Sequence, residues 1–157
     1  MRMKTKTVRS IIGFVIFILC ANQALAAEWI LSEKSATGDE YYDQSRVKKV
    51  NNHINSVVVK KIYNDVGKVQ NYSALKKVNK APINPYILSH EIALWEIDCL
   101  NGKMRISSER IYDKRGDVIA TKPSLHDKWI NVVPNSKFEK IKNKVCPPVH
   151  HSKIKKK

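Results

Sequence analysis

A chain of 157 residues with 29 Lys and Arg against 14 Asp and Glu, a formal net charge of +15, has room for one modest core and no second domain. It carries no P-loop, dinucleotide fingerprint, GxSxG elbow or HExxH string, which argues against nucleotide-dependent, serine-hydrolase and zinc-protease chemistry. The charge favours anionic partners, through attraction that weakens with salt.

The first 26 residues read as an export signal. Arg2, Lys4, Lys6 and Arg9 precede the apolar run Ile11 to Leu19, and Ala24-Leu25-Ala26 gives the small-x-small pattern of a cleavage site. The run is shorter than the roughly 20 residues a membrane span needs, so no span is expected after cleavage before Ala27. Cys20 ends the apolar run, as in a lipoprotein leader, but bulky Leu19 occupies the place where lipid attachment wants a small residue. Cys20 therefore reads as part of the discarded segment. An exported chain meets neither ATP nor nucleic acid as ordinary partners.

The mature cysteines are Cys99 and Cys146, an even pair in an oxidising compartment. A single disulfide is the default, ahead of free thiols or a metal site, and on the chain-entropy account it would stabilise by roughly 4 kcal/mol.

Ala27 to Ser32 reads as a short strand with Trp29 and Leu31 on one face. Tyr41 to Val47 follows, with a hairpin bend expected at Asp43 to Ser45, and Asn51-Asn52 turns the chain again. Ser56 to Tyr63 is β-branched and aromatic with clear alternation, the surest strand of the first half. Asn64 to Pro85 lacks alternation and contains Gly67, Pro82 and Pro85, so it reads as a long excursion with a helical turn near Tyr72 to Val78.

Ile87 to Leu100 is extended again. Asn101-Gly102 then signals a two-residue hairpin turn, returning through Met104 to Tyr112. That turn predicts Leu100 opposite Lys103, Asp98 opposite Arg105 and Ile97 opposite Ile106, with Ala93, Trp95, Ile97 and Cys99 sharing a buried face with Met104 and Ile106. Gly116 turns the chain into a strand at Val118 to Lys122, and Trp129 to Val133 is a last extended stretch ended by Pro134. Ser136 and Glu139 fit a capping box opening a helix to about Val145, with Phe138, Ile141 and Val145 on one face. Cys146 at its end is placed to reach Cys99.

The terminus after residue 148 is a basic tail expected to be disordered. Lys153, Lys155, Lys156 and Lys157 are its candidate polyanion-binding residues. His150-His151 lacks further ligands for a metal, and His90 and Glu91, adjacent on a strand, face opposite ways. No catalytic residue, metal ligand or cofactor emerges. Tyr41, Tyr42, Tyr63, Tyr72, Tyr86 and Tyr112 are candidates for an aromatic binding face, shared with the core.

The order of these signals resembles the surface-adhesin protein E family of Gram-negative bacteria. The likeness is carried by Tyr42-Asp43-Gln44-Ser45-Arg46-Val47, by Trp95-Glu96-Ile97-Asp98-Cys99 with Arg105, by Tyr112-Asp113 before Gly116, and by Trp129 through Pro134-Asn135-Ser136 to Cys146. The resemblance implies an α+β fold over residues 27–148: a single antiparallel β-sheet of about six strands, a C-terminal α-helix packed on it, and one disulfide from sheet to helix end. It also implies an exported, non-enzymatic interaction domain of the periplasm or outer-membrane surface, similar to adhesins that dimerise and bind host matrix proteins such as vitronectin and laminin. The alternative from a different class is a periplasmic envelope or stress-related structural protein, held on anionic lipid or lipopolysaccharide by its basic surface.

Overall fold

Strand β4 (Ile54–Tyr63) organises the molecule, because its run of β-branched residues suits a sheet position flanked on both edges. The structure, a computed structural model, describes residues 26–122 and 128–147. One edge of β4 pairs with β2 (Gly38–Asp43) and β3 (Lys48–Lys49), and the other with β5 (Leu88–Asp98). Outside β2 lies β1 (Trp29–Ser35), and outside β5 lies β6 (Lys103–Asp113). The far edge of β6 is shared by β7 (Val118–Lys122) and the short β8 (Ile130–Asn131). All these pairings are antiparallel, in the order β1-β2-β4-β5-β6-β7.

The bend expected at Asp43 to Ser45 is not a hairpin. A 3-10 turn at Gln44–Arg46 interrupts an edge that then continues along the same partner: Tyr42 lies opposite Val59, and Lys48 opposite Ser56. Asp43, fully buried, holds the turn by accepting from Ser45 N at 3.1 Å and Ser45 Oγ at 2.6 Å. Its short side chain satisfies the backbone without the chain reversing.

The β5–β6 connection also differs from the expected two-residue turn. Asp98 pairs with Lys103, Ile97 with Met104, Glu96 with Arg105 and Trp95 with Ile106. Asp98 causes the change: its carboxylate accepts from Leu100 N at 3.0 Å, Asn101 N at 2.9 Å and Asn101 Nδ2 at 2.8 Å. Gly102 closes the loop at φ 62°, its N–H reaching the Asp98 carbonyl at 2.9 Å. The slip is by an even number of residues, so Met104 and Ile106 keep their expected face; a bulge at Ser107, between the pairs Trp95–Ile106 and Leu94–Ser108, then turns Glu109 and Ile111 inward and Arg110 outward.

Helix α1 (Asp65–Lys77) replaces the excursion with its single helical turn. Asn64 caps it, Oδ1 accepting from Gly67 N at 2.9 Å, and Lys76 and Lys77 complement the dipole in its last turn. Its apolar residues do not form one stripe: Leu75 is buried, while Val66, Val69 and Val78 face solvent. Gly67 seats the helix, since a Cβ there would lie 1.9 Å from the Thr37 carbonyl oxygen. Helix α2 (Lys137–Val145) does show the expected stripe, with Ile141 and Val145 buried and Phe138 against Trp95 at 5.0 Å. Ser136 Oγ accepts from Glu139 N at 3.3 Å, while Glu139 reaches back to Asn135 N at 2.7 Å, one residue before the cap.

Both helices pack on the same face of the sheet. Under α2 lie Tyr42, Val57, Val59, Ala93, Trp95, Ile97 and Met104; under α1 lie Tyr63, Leu88, Ile111 and Ala120. Register joins the clusters, because Val57, Val59 and Tyr63 share the parity of β4, and Ile111 sits opposite Glu91, two residues from Ala93. Cys99 and Cys146 form a disulfide with Cα atoms 5.6 Å apart, which ties the end of α2 to the sheet.

Candidate interaction surface

With both helices on one side, the opposite face of the sheet carries no helix among the described residues. A sheet face open to water normally alternates to polar residues. Here the outward positions include Val58 on β4 and Ile92 and Leu94 on β5, with Val58 directly opposite Leu94. Tyr41, Lys60, Ile92 and Arg110 form one row across β2, β4, β5 and β6. The result is a half-buried aliphatic centre flanked by cations and rings.

Ring contacts hold several of those cations in place. Lys60 Nζ lies 5.5 Å from the Trp29 ring centroid, and the Arg105 guanidinium 4.8 Å from that of Trp129. Arg105 also binds Glu96, Nε at 2.7 Å and Nη2 at 2.6 Å, where Asp98 had been expected as its partner. His90 stacks on Tyr112 at 4.9 Å with an interplanar angle of 5°. Burial, and then the nearby Lys60 charge, lowers the His90 pKa, so the stacked ring is neutral at physiological pH. Arg110 is exposed and has no ion-pair partner among the described residues.

The helix-bearing face holds a polar seam between its two apolar clusters. Tyr63 Oη donates to Glu91 at 2.5 Å, and Lys122 bonds to Glu109 and lies 3.7 Å from Glu91. Burial first, and then Glu91, pushes the Tyr63 hydroxyl pKa far up, while burial also raises that of Glu109. Lys137 reaches Glu40 at 2.8 Å, its ammonium 5.4 Å from the Trp95 ring centroid. These charges are used on one another, which reads as a structural seam. Among the described residues, no group of three or more His, Cys, Asp or Glu is arranged to hold a metal ion.

The aromatic candidates divide between the two faces. Tyr41 and Tyr112 belong to the open face, Tyr42 and Tyr63 are buried, Tyr72 on α1 packs against the apolar cluster under that helix, and Tyr86 is exposed beside it. Cys99, Asn101 and Gly102 lie at the end of the sheet where β5 turns into β6. Lys153, Lys155, Lys156, Lys157, His150 and His151 lie outside the described residues, as do residues 1–25, nearly all of the expected export signal. Sequence reasoning missed the open face itself. Its signal was Ile92-Ala93-Leu94-Trp95, where apolar residues fall on both sides of one strand.

This chain, an antiparallel sheet with a terminal helix stapled by Cys99–Cys146, matches a known family over most of its length: surface-adhesin protein E, over residues 29–147. The chain belongs to the surface-adhesin protein E family. Membership of this adhesin family supports a surface-adhesin role and an exported, cell-surface protein. Comparisons with curated proteins and with solved structures find no significant match. Among the described residues, no helix is long and apolar enough to cross a membrane.

Proposed function

We propose that this is a non-enzymatic adhesin domain that captures an acidic protein partner, such as a host matrix protein, on its open sheet face. The observation that supports it is the placement of both helices on one side, which leaves Val58, Ile92 and Leu94 at the centre of a face carrying Lys60, Arg105 and Arg110. Apolar atoms at the centre of an interface supply affinity, and a charged surround supplies steering and orientation. Export by the N-terminal leader brings that face to the periplasm or outer-membrane surface of a Gram-negative cell.

Binding of the purified protein to immobilised vitronectin and laminin tests the reading. Saturable binding is expected to survive physiological salt, where exposed charges are screened beyond about 8 Å, and to fall about tenfold in Lys60→Glu/Arg110→Glu. Ile92→Ser/Leu94→Ser should weaken it without changing its salt dependence. Binding that vanishes above roughly 0.3 M salt and ignores Ile92 and Leu94 would instead favour the envelope protein held on anionic lipid or lipopolysaccharide by charge. A homodimer using this face would appear as a mass doubling that the same apolar variants abolish.

A further inference from the structure

At the end of the sheet where α1 begins, a second exposed apolar surface has no part in the open face. Ile83 is 100% exposed, and Val66, Val69 and Tyr86 are exposed at 60%, 46% and 50%. Val66, Val69 and Tyr86 line one shallow concavity between α1 and the 3-10 turn at Pro85–Ile87. Isolated exposed aliphatics are ordinary, but a cluster of this kind marks a docking site.

The apex is built to present Ile83. Pro82 and Pro85 bracket it with fixed φ, and Asn84 Oδ1 accepts from Tyr86 N at 2.8 Å. Lys80 N is held by the Leu75 carbonyl at 2.9 Å, which anchors the other side of the loop to the end of α1. A loop whose backbone is already constrained loses less entropy when its apex is buried.

Cations flank the loop that carries Ile83, on the chain before it and beside its return. Lys76, Lys77 and Lys80 lie at the end of α1, and Lys114 comes from the β6–β7 turn, its N–H bonded to the Ile87 carbonyl at 3.2 Å. All four are exposed and without an ion-pair partner among the described residues, whereas Lys68 is paired with Asp65 at 2.8 Å and Arg115 with Asp113 and Asp117 at 3.2 and 3.1 Å. We infer that this end of the domain docks on an anionic phospholipid bilayer, Ile83 entering the acyl boundary beneath the headgroups. A protruding aliphatic needs a complementary pocket in a protein partner but none in a bilayer, which deforms around it. Tyr86 has the amphipathic ring suited to the headgroup level, and the lysines match phosphate charge. Docking by this end leaves the open sheet face free at the side, so one molecule can hold a membrane and a protein together.

Co-sedimentation of the full secreted protein with phosphatidylcholine vesicles, with and without phosphatidylglycerol, tests the inference. Binding should require phosphatidylglycerol and weaken about tenfold in Ile83→Asp/Tyr86→Ser, with an unchanged thermal midpoint because both residues are exposed. Lys77→Glu/Lys80→Glu/Lys114→Glu should weaken it to a similar extent. Replacing Lys153, Lys155, Lys156 and Lys157 by Gln should cost less than about threefold, which separates the tip from the tail. The inference is overturned if wild-type protein ignores phosphatidylglycerol vesicles or if Ile83→Asp/Tyr86→Ser binds them as wild type does. It is also overturned if that variant loses vitronectin or laminin binding while keeping vesicles, since the tip is then a protein site. Loss of matrix binding in Lys60→Glu/Arg110→Glu with vesicle binding intact would confirm two independent surfaces; failure of the matrix assay alone leaves the vesicle result decisive for the tip.

Discussion

The side-chain amide of Asn55 donates to the carbonyl of Val145 at 2.8 Å, across 90 residues of sequence. The last residue of α2 is thereby tied to β4 by a hydrogen bond, and the next residue, Cys146, is tied to the β5–β6 loop by a disulfide. Both ties hold the same helix end, so their losses should not add. Removing the disulfide in Cys99→Ser/Cys146→Ser is expected to cost about 4 kcal/mol for a sequence separation of 47, and Asn55→Ala about 1 kcal/mol. With the disulfide gone, the helix end is freer and Asn55→Ala should cost less. Urea denaturation of the single and combined variants measures that coupling; strict additivity would mean the two ties act on separate structure.

Gly67→Ala should destabilise the protein although alanine is the better helix former. Propensity alone would give a gain of about 1 kcal/mol. The added Cβ, however, meets the Thr37 carbonyl oxygen at 1.9 Å, and neither partner is a flexible side chain. We expect a net loss of about 2 kcal/mol as α1 is levered off the β1–β2 turn. A raised denaturation midpoint would show that the helix re-seats without cost.

Acid sensitivity should concentrate at Asp98 and Asp113, which organise loops at opposite ends of β6. Hydrogen bonds from Asn101 lead the lowering of the Asp98 pKa, and the Asp117 N–H at 2.9 Å leads that of Asp113, each below the ordinary 3.8. A carboxyl lowered by folding stabilises fully above its unfolded value and loses that contribution as pH falls through the folded one. Asp98→Ala and Asp113→Ala are therefore expected to be destabilised at neutral pH, with the gap from wild type closing as pH drops below 3.8. Thermal melts across the acid range would check this, and a gap independent of pH would assign the loss to packing.

Glu109 should act in the opposite sense. Burial raises its pKa above 4.5 despite the pairing with Lys122, so the folded state holds its proton more tightly than the unfolded chain does. Stability from this group is complete below 4.5 and declines as pH rises toward the folded value. Glu109→Gln removes that slope, so relative to wild type it should gain as pH rises through this window. Parallel pH profiles of the two proteins would refute the assignment.

Much of the fold was legible in the sequence because its strands alternate and its second helix carries an apolar stripe. Val57 and Val59, and then Phe138, Ile141 and Val145, announce their faces by spacing alone. Helix α1 was hidden because its stability comes from the Asn64 cap and the Gly67 contact with Thr37, and its apolar residues point in several directions. The β5–β6 register was misread because Asn101-Gly102 suits a short turn, while Asp98 three residues earlier captures the backbone N–H groups first. The open face was legible only in part, through the apolar residues on both sides of Ile92-Ala93-Leu94-Trp95. Which side of a sheet two separate helices will cover is decided by chain connections, and no residue of β4 or β5 states it.

The 3-10 turn at Gln44–Arg46 gives the sheet a place to change length. Both β2 and β3 are pinned to β4, one before the turn and one after, and the surplus residues bulge away from the ladder between Tyr42 and Lys48. The bulge absorbs that surplus while both registers stay fixed, with Asp43 buried inside it and Val47 packed on the core beneath. The edge thus works as an expansion joint between two fixed ladders, taking up unequal strand lengths without turning a core side chain of β4 toward water.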